Sequence, residues 1–83
     1  MPFVSVQHLA GAFTRDQQTE LIRDITDAFV RQGGEGIRPS LHIAISEIAS
    51  GLWGVGGKCL TIEEVERRRA ARRSQAEPSK EGV

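Results

Sequence analysis

The stretch "TRDQQTELIRDITDAFVRQGG", residues 14–34, decides the fold. Leu21, Ile22, Ile25, Ala28 and Phe29 recur at intervals of three and four with polar and charged residues between them, the pattern of an amphipathic helix with one buried face. Its ends are marked as well. Thr14 and Gln17 have the spacing of a capping box, Asp16 suits the positive end of the helix dipole, and Gly33-Gly34 supply a stop. The pattern predicts a helix from about Arg15 to Gln32.

Both flanks of this helix alternate like strands. Before it, Phe3 to Leu9 include the β-branched Val4 and Val6, and after it "SLHIAIS" sets Leu41, Ile43 and Ile45 against His42, Ala44 and Ser46. A crossover through a helix makes the two strands parallel, and such connections are right-handed. One helix covers only one face of the sheet, yet Phe3, Val4, Val6 and Ala44 give apolar character to both. Two strands are not a stable sheet by themselves, and a chain of 83 residues buries little surface alone. The uncovered face and open edges are therefore expected to meet another subunit.

Next comes "GLWGVGGK", residues 51–58, with glycines spaced for a hairpin around Trp53. A phosphate-binding loop is excluded, because Leu52 and Cys59 stand where that pattern needs Gly and Ser or Thr. "TIEEVERRRAARR", residues 61–73, then reads as a helix, with Thr61 and Glu64 as a second capping box. Glu63 with Arg67 and Glu64 with Arg68 are favourable pairs, worth about 0.2 to 0.5 kcal/mol each. Its apolar stripe, Ile62 and Val65, is thin, so this helix needs a neighbour. The reading is one domain over residues 1–73 and a disordered tail over 74–83, where nothing is available to bury.

Eleven basic and eleven acidic residues cancel, which leaves no electrostatic case for nucleic acid or a membrane as partner. No apolar run approaches the roughly 18 residues of a membrane span, and no leader pattern opens the chain, so a soluble cytoplasmic protein is expected. Cys59, the single cysteine, excludes an internal disulfide or a cysteine zinc cluster and reads as a small, semi-buried apolar residue. Pro2 opens the first strand without an N–H to give to a sheet. Once Met1 is removed its nitrogen is a secondary amine and can act as a base; with Met1 attached it is a tertiary amide and cannot.

Pro2 at a strand start, a βαβ unit on about sixty residues and a glycine-rich hairpin with an aromatic residue together resemble the 4-oxalocrotonate tautomerase family. The resemblance covers residues 2 to about 60 and is most specific in "PFVSVQ", "ELIRDITDAF" and "SEIASGLWGVGG". It implies an α/β fold: a single βαβ unit with a C-terminal hairpin and short helix, its four-stranded sheet completed by dimerisation, commonly with three dimers in a hexamer. It further implies catalysis without metal or organic cofactor, with Pro2 as general base and acid moving protons between the enol and keto forms of a small 2-oxo or unsaturated acid. Burial of the Pro2 amine against Phe3, Leu9 and Trp53 would disfavour its charged form and draw its pKa toward neutrality. The substrate-binding residues it implies are Leu9, Phe13, His42 and Trp53.

The chain also departs from the family. Two arginines that hold the substrate in the best-known members align with Ala12 or Phe13 and with His42, so neither is present. Weak activity on the usual dicarboxylate is expected. His42 either donates to a substrate oxygen or is a satisfied interface histidine, and His8 reads as a satisfied histidine. Arg15 and Arg38, near strand ends, are replacement cations or solvated charges. The run Arg67, Arg68, Arg69, Arg72, Arg73 reads as a solvated helix face, a reach toward an anionic substrate in a neighbouring subunit, or a phosphate-binding patch. Hydration, dehalogenation or decarboxylation on the same scaffold, with Glu47 activating water, and a non-catalytic binding protein are the alternatives.

Overall fold

β1 (Phe3–Leu9) and β2 (His42–Ile48) pair in parallel, with Phe3 opposite His42 and Leu9 opposite Ile48, and α1 (Arg15–Gly33) crosses between them. The computed structural model describes the backbone of residues 1–80 and the side-chain surroundings of residues 1–73. After β2 come β3 (Trp53–Val55), β4 (Lys58–Leu60) and α2 (Ile62–Lys80). β3 and β4 form a separate antiparallel pair, Trp53 opposite Leu60. Gly56 (φ 59°) and Gly57 (φ 84°) hold positive φ at both central turn positions, as a tight hairpin turn of the primed type requires.

The α1 caps form as the residues dictate. The Thr14 hydroxyl accepts from the Gln17 N–H at 3.1 Å, and the Gln17 side chain accepts from the Thr14 N–H at 2.8 Å. Gly34 (φ 90°) ends the helix and donates its N–H to the Val30 carbonyl at 2.8 Å. The segment from α1 to β2 is a 3₁₀ turn over Glu35–Ser40. Arg38 fastens it, reaching Glu35 within the turn and Asp27 on α1.

The sheet has one covered and one open face. Val4, Val6, Ile43 and Ile45 are half-buried and share a face with His8 and Glu47, both of which touch α1. On the other face Phe3, Ser5, Gln7, His42, Ala44 and Ser46 are all exposed. Among the described residues only Leu9 and Ala12 are buried apolar side chains, 5% and 8% exposed. The chain exposes 6140 Å², whereas a compact chain of 9.1 kDa exposes about 4,900 Å². Its radius of gyration, 16.1 Å, exceeds the roughly 12 Å of a compact chain this long.

α2 extends beyond the helix read from the sequence over residues 61–73. It runs for 19 residues, so the boundary expected at Arg73 falls inside its helical backbone, and 81–83 lie outside the described residues. Alanine and arginine are strong helix formers and sustain it where few apolar contacts do. The Thr61 hydroxyl accepts from the Glu64 N–H at 3.2 Å, as expected of a cap. Among the described residues, however, Arg67 pairs with Glu64 (3.7 Å) and not with Glu63, while Arg68 reaches the other Glu64 oxygen at 4.0 Å. α2 docks where Ile62 meets the turn after β1. A Cβ on Gly11 would lie 3.1 Å from Ile62 Cγ1, and Gly11 holds φ 93°. Glycine satisfies both constraints.

Candidate active site

Parallel pairing puts the N-terminal ends of β1 and β2 side by side. Pro2, half-buried, directly precedes β1, and its carbonyl accepts the His42 N–H at 3.1 Å. This bond needs no N–H from proline, which leaves the nitrogen free of the sheet. The His42 side chain is exposed on the open face beside Phe3, which is 66% exposed. Phe3 is therefore no wall for Pro2 within one chain.

Leu9, Phe13 and Trp53 belong to the other end of the sheet. Leu9 closes β1, Phe13 lies in the loop that follows, and Trp53 begins the hairpin after β2. The seven residues of β1 span about 23 Å at roughly 3.3 Å each. One chain thus brings Pro2 to His42 and, far from them, Leu9 to Phe13.

A buried polar network ties this second end to α1. The His8 Nδ1 lies 2.8 Å from the Leu9 carbonyl, which can only accept, so Nδ1 carries the proton and Nε2 is an acceptor. The Gln18 amide donates to that Nε2 at 3.0 Å and to a Glu47 carboxylate oxygen at 2.6 Å. His8 is thereby satisfied, as its sequence reading held, and Glu47 is fixed by a partner. Sequence reasoning missed Gln18. The signal was there, since residue 18 lies three, four and seven positions before Leu21, Ile22 and Ile25 and is polar on their apolar face. Phe13 packs edge-on against His8, centroids 4.9 Å apart at 87°.

The arginines separate by environment. Arg38 sits between Asp27 (3.2 Å) and Glu35 (3.0 Å). The hydrogen bond and charge of Arg38 hold the Glu35 carboxyl below its ordinary range, and Glu35, then Asp27, push the Arg38 guanidinium further up. Arg38 is thus paired with two carboxylates at an exposed position. Arg15 is exposed and, with Gln18, Thr19, Ile22, Ile45 and Glu47, lines an open cavity of about 400 Å³. Of the C-terminal run, Arg69 alone turns inward. It donates Nη2–H to the Ala12 carbonyl at 2.7 Å, and its guanidinium carbon lies 5.9 Å from the Phe13 ring centroid. Ala12 and Phe13 are the positions where the sequence resemblance calls for an arginine. Cys59, expected to be semi-buried, is exposed.

Comparisons with known proteins bear on this arrangement. A family model described as "Tautomerase enzyme" matches residues 2–63. A curated relative from Lactiplantibacillus plantarum, named probable tautomerase, is 32% identical over 66 residues, 80% of this chain and 100% of the relative. Among solved structures, DmpI from Helicobacter pylori superposes with a TM-score of 0.62 at 26% identity, covering 71% of this chain and 95% of that one. SAR1376 from methicillin-resistant Staphylococcus aureus, provisionally assigned as a 4-oxalocrotonate tautomerase, gives 0.61 at 31% identity, covering 70% of this chain and 90% of that one. No helix among the described residues is long and apolar enough to cross a membrane.

Proposed function

The chain belongs to the tautomerase family, and from that premise we propose that it is a cofactor-independent enzyme whose Pro2 amine moves protons between the enol and keto forms of a small 2-oxo or unsaturated acid. The observation that carries this reading is the position of Pro2: the family match begins at residue 2, and the proline nitrogen stands at the sheet end without a role in strand pairing.

The chemistry follows from the amine. Removal of Met1 frees a secondary amine, and an apolar surround disfavours its charged form, leaving a base near neutral pH. The neutral amine takes the enol O–H proton or a proton from carbon next to the carbonyl. The resulting ammonium returns a proton to the other site, so the amine is regenerated and nothing is consumed. The rigid pyrrolidine at a strand start reduces the entropy lost in positioning it. His42, at the same end of the sheet, donates to the substrate oxygen as charge develops there.

The site is completed by association of copies. The open face, the unpaired edge of β1 and the surface in excess of a compact chain all support self-association. One copy supplies Pro2 and His42, and another supplies Phe13 and Trp53 as apolar walls, while Leu9, 5% exposed, packs within its own chain. Activity on the dicarboxylate is weak, because removing one donor aimed at a developing oxyanion costs about 2.7 to 4 kcal/mol. A water-activating role for Glu47 gains no support, since its carboxylate accepts from Gln18.

The test is enol-to-keto conversion of an aryl or alkyl 2-oxo acid by the wild type and by Pro2→Ala. The expected result is a loss of at least about tenfold in kcat/KM, within the range for removing a general base. Unchanged turnover overturns the reading.

A further inference from the structure

We propose that Arg69 is the residue that binds the substrate carboxylate, and that it does so in the site of a neighbouring copy of the chain. The inference rests on the proton-transfer reading above and adds to it the identity and the origin of the cation.

Arg69 is the one arginine among the described residues that is not exposed. It is held from two sides, by the Ala12 carbonyl at 2.7 Å and by the Phe13 ring at 5.9 Å. A guanidinium has five N–H donors, and the Ala12 carbonyl takes one. Among the described residues no carboxylate lies within ion-pair distance of Arg69, whereas Arg23, Arg67 and Arg68 each have one and Arg38 has two. A half-buried, oriented guanidinium with donors to spare is preorganised for a planar carboxylate. Phe13, beside it and exposed, offers apolar surface to the rest of such a molecule.

Arg69 and Pro2 cannot meet in one chain, because the length of β1 lies between the Ala12 loop and Pro2. β1 is paired with β2 along one edge and has no partner on the other. A strand that pairs with its own copy about a two-fold axis runs antiparallel to it. That pairing carries the Leu9 end of one β1 toward the Pro2 end of the other. Arg69 then comes to the proline amine from the second copy, which gives a monocarboxylate 2-oxo acid one cation and one base at opposite ends.

Arg69→Gln tests this, because it removes the charge and the guanidinium donors while keeping a polar, helix-compatible side chain. Each variant is assayed on an aryl 2-oxo acid and on its uncharged methyl ester. Arg69→Gln should raise KM for the acid about tenfold or more and change kcat/KM for the ester less than about twofold, with Arg69→Lys recovering part of the acid activity. Pro2→Ala should lose both substrates, and if it keeps both, the proton-transfer reading itself fails, independently of Arg69. Mixed oligomers of Pro2→Ala and Arg69→Gln chains should recover about a quarter of wild-type acid turnover, since half of randomly mixed dimers contain one intact composite site. An equal loss on acid and ester, or no loss on the acid, overturns the carboxylate role; no recovery on mixing overturns the origin in a second copy. Should Arg69→Gln fail to assemble by sedimentation, Arg69→Lys decides through the same acid-to-ester ratio, unchanged if the planar fork is not used.

Discussion

The side-chain amide of Gln18 stands 3.0 Å from Nε2 of His8, inside the joint between α1 and the sheet, and both residues are 7% exposed. It reaches Glu47 as well, at 2.6 Å, so one amide satisfies an imidazole and a carboxylate. Gln18→Leu removes both donors and leaves the His8 acceptor buried without a partner. A loss of about 1 to 3 kcal/mol is expected, the cost of an unsatisfied buried polar group. Urea denaturation at fixed protein concentration checks it; a midpoint within error of wild type contradicts the network.

Gly11 joins β1 to the rest of the chain under two constraints, its φ of 93° and the approach of Ile62 at 3.1 Å to any added Cβ. Gly11→Ala should therefore cost more than about 1 kcal/mol and weaken the seating of α2. Amide hydrogen exchange reads the second effect directly, as lost protection in the first turn of α2. Protection equal to wild type would show that Gly11 is not where α2 docks.

Among the described residues, Glu35 contributes to the acid limb of stability. Arg38 holds the Glu35 carboxyl below its ordinary range. A group with a depressed folded-state pKa stabilises the fold above its unfolded-state pKa, and that contribution is lost as pH falls through the folded value. Both side chains are exposed to solvent, so the effect is small. Arg38→Gln should return Glu35 to ordinary titration, measured by NMR, and should flatten that part of the pH dependence. A Glu35 titration unmoved by the substitution contradicts the pairing.

Association should be visible as a melting temperature that rises with protein concentration, because any equilibrium that binds only the folded chain stabilises it by mass action. Phe3→Glu places a charge on the open face, where burial against another copy would require its desolvation. The variant should sediment as a smaller species and lose tautomerase activity. A wild-type melting temperature independent of concentration, with sedimentation as a monomer, would contradict the composite site.

Most of the fold was legible because its determinants are local. Thr14 and Gln17 fix the start of α1, Gly34 its end, and the alternation around Val4, Val6, Ile43 and Ile45 fixes which face of each strand turns inward. The site was only half legible. Parallel pairing, read from the crossover, brings Pro2 to His42, but it also sends Leu9 and Phe13 to the far end, a consequence of strand length that residue types do not display. Arg69 was hidden for a different reason. It is one of five similar arginines within residues 67–73, and its bond to Ala12 spans 57 residues of sequence. Only the rotation of α2, set by Ile62 against Gly11, distinguishes it from Arg67 and Arg68. Glu47 and Arg38 have partners, Gln18 for the one and Glu35 and Asp27 for the other, that residue types alone do not display.

The Pro2 amine is the centre of the account, and its titration is the most direct measurement of it. With ¹⁵N-labelled proline in the assembled protein, the Pro2 nitrogen is followed by NMR against pH, alongside kcat/KM for the 2-oxo acid. The account requires a free amine, with Met1 absent by mass, titrating below the ordinary α-amino range of roughly 8, and a rate that rises with the same midpoint. A nitrogen blocked by Met1, or a rate profile that ignores the amine's titration, would contradict it.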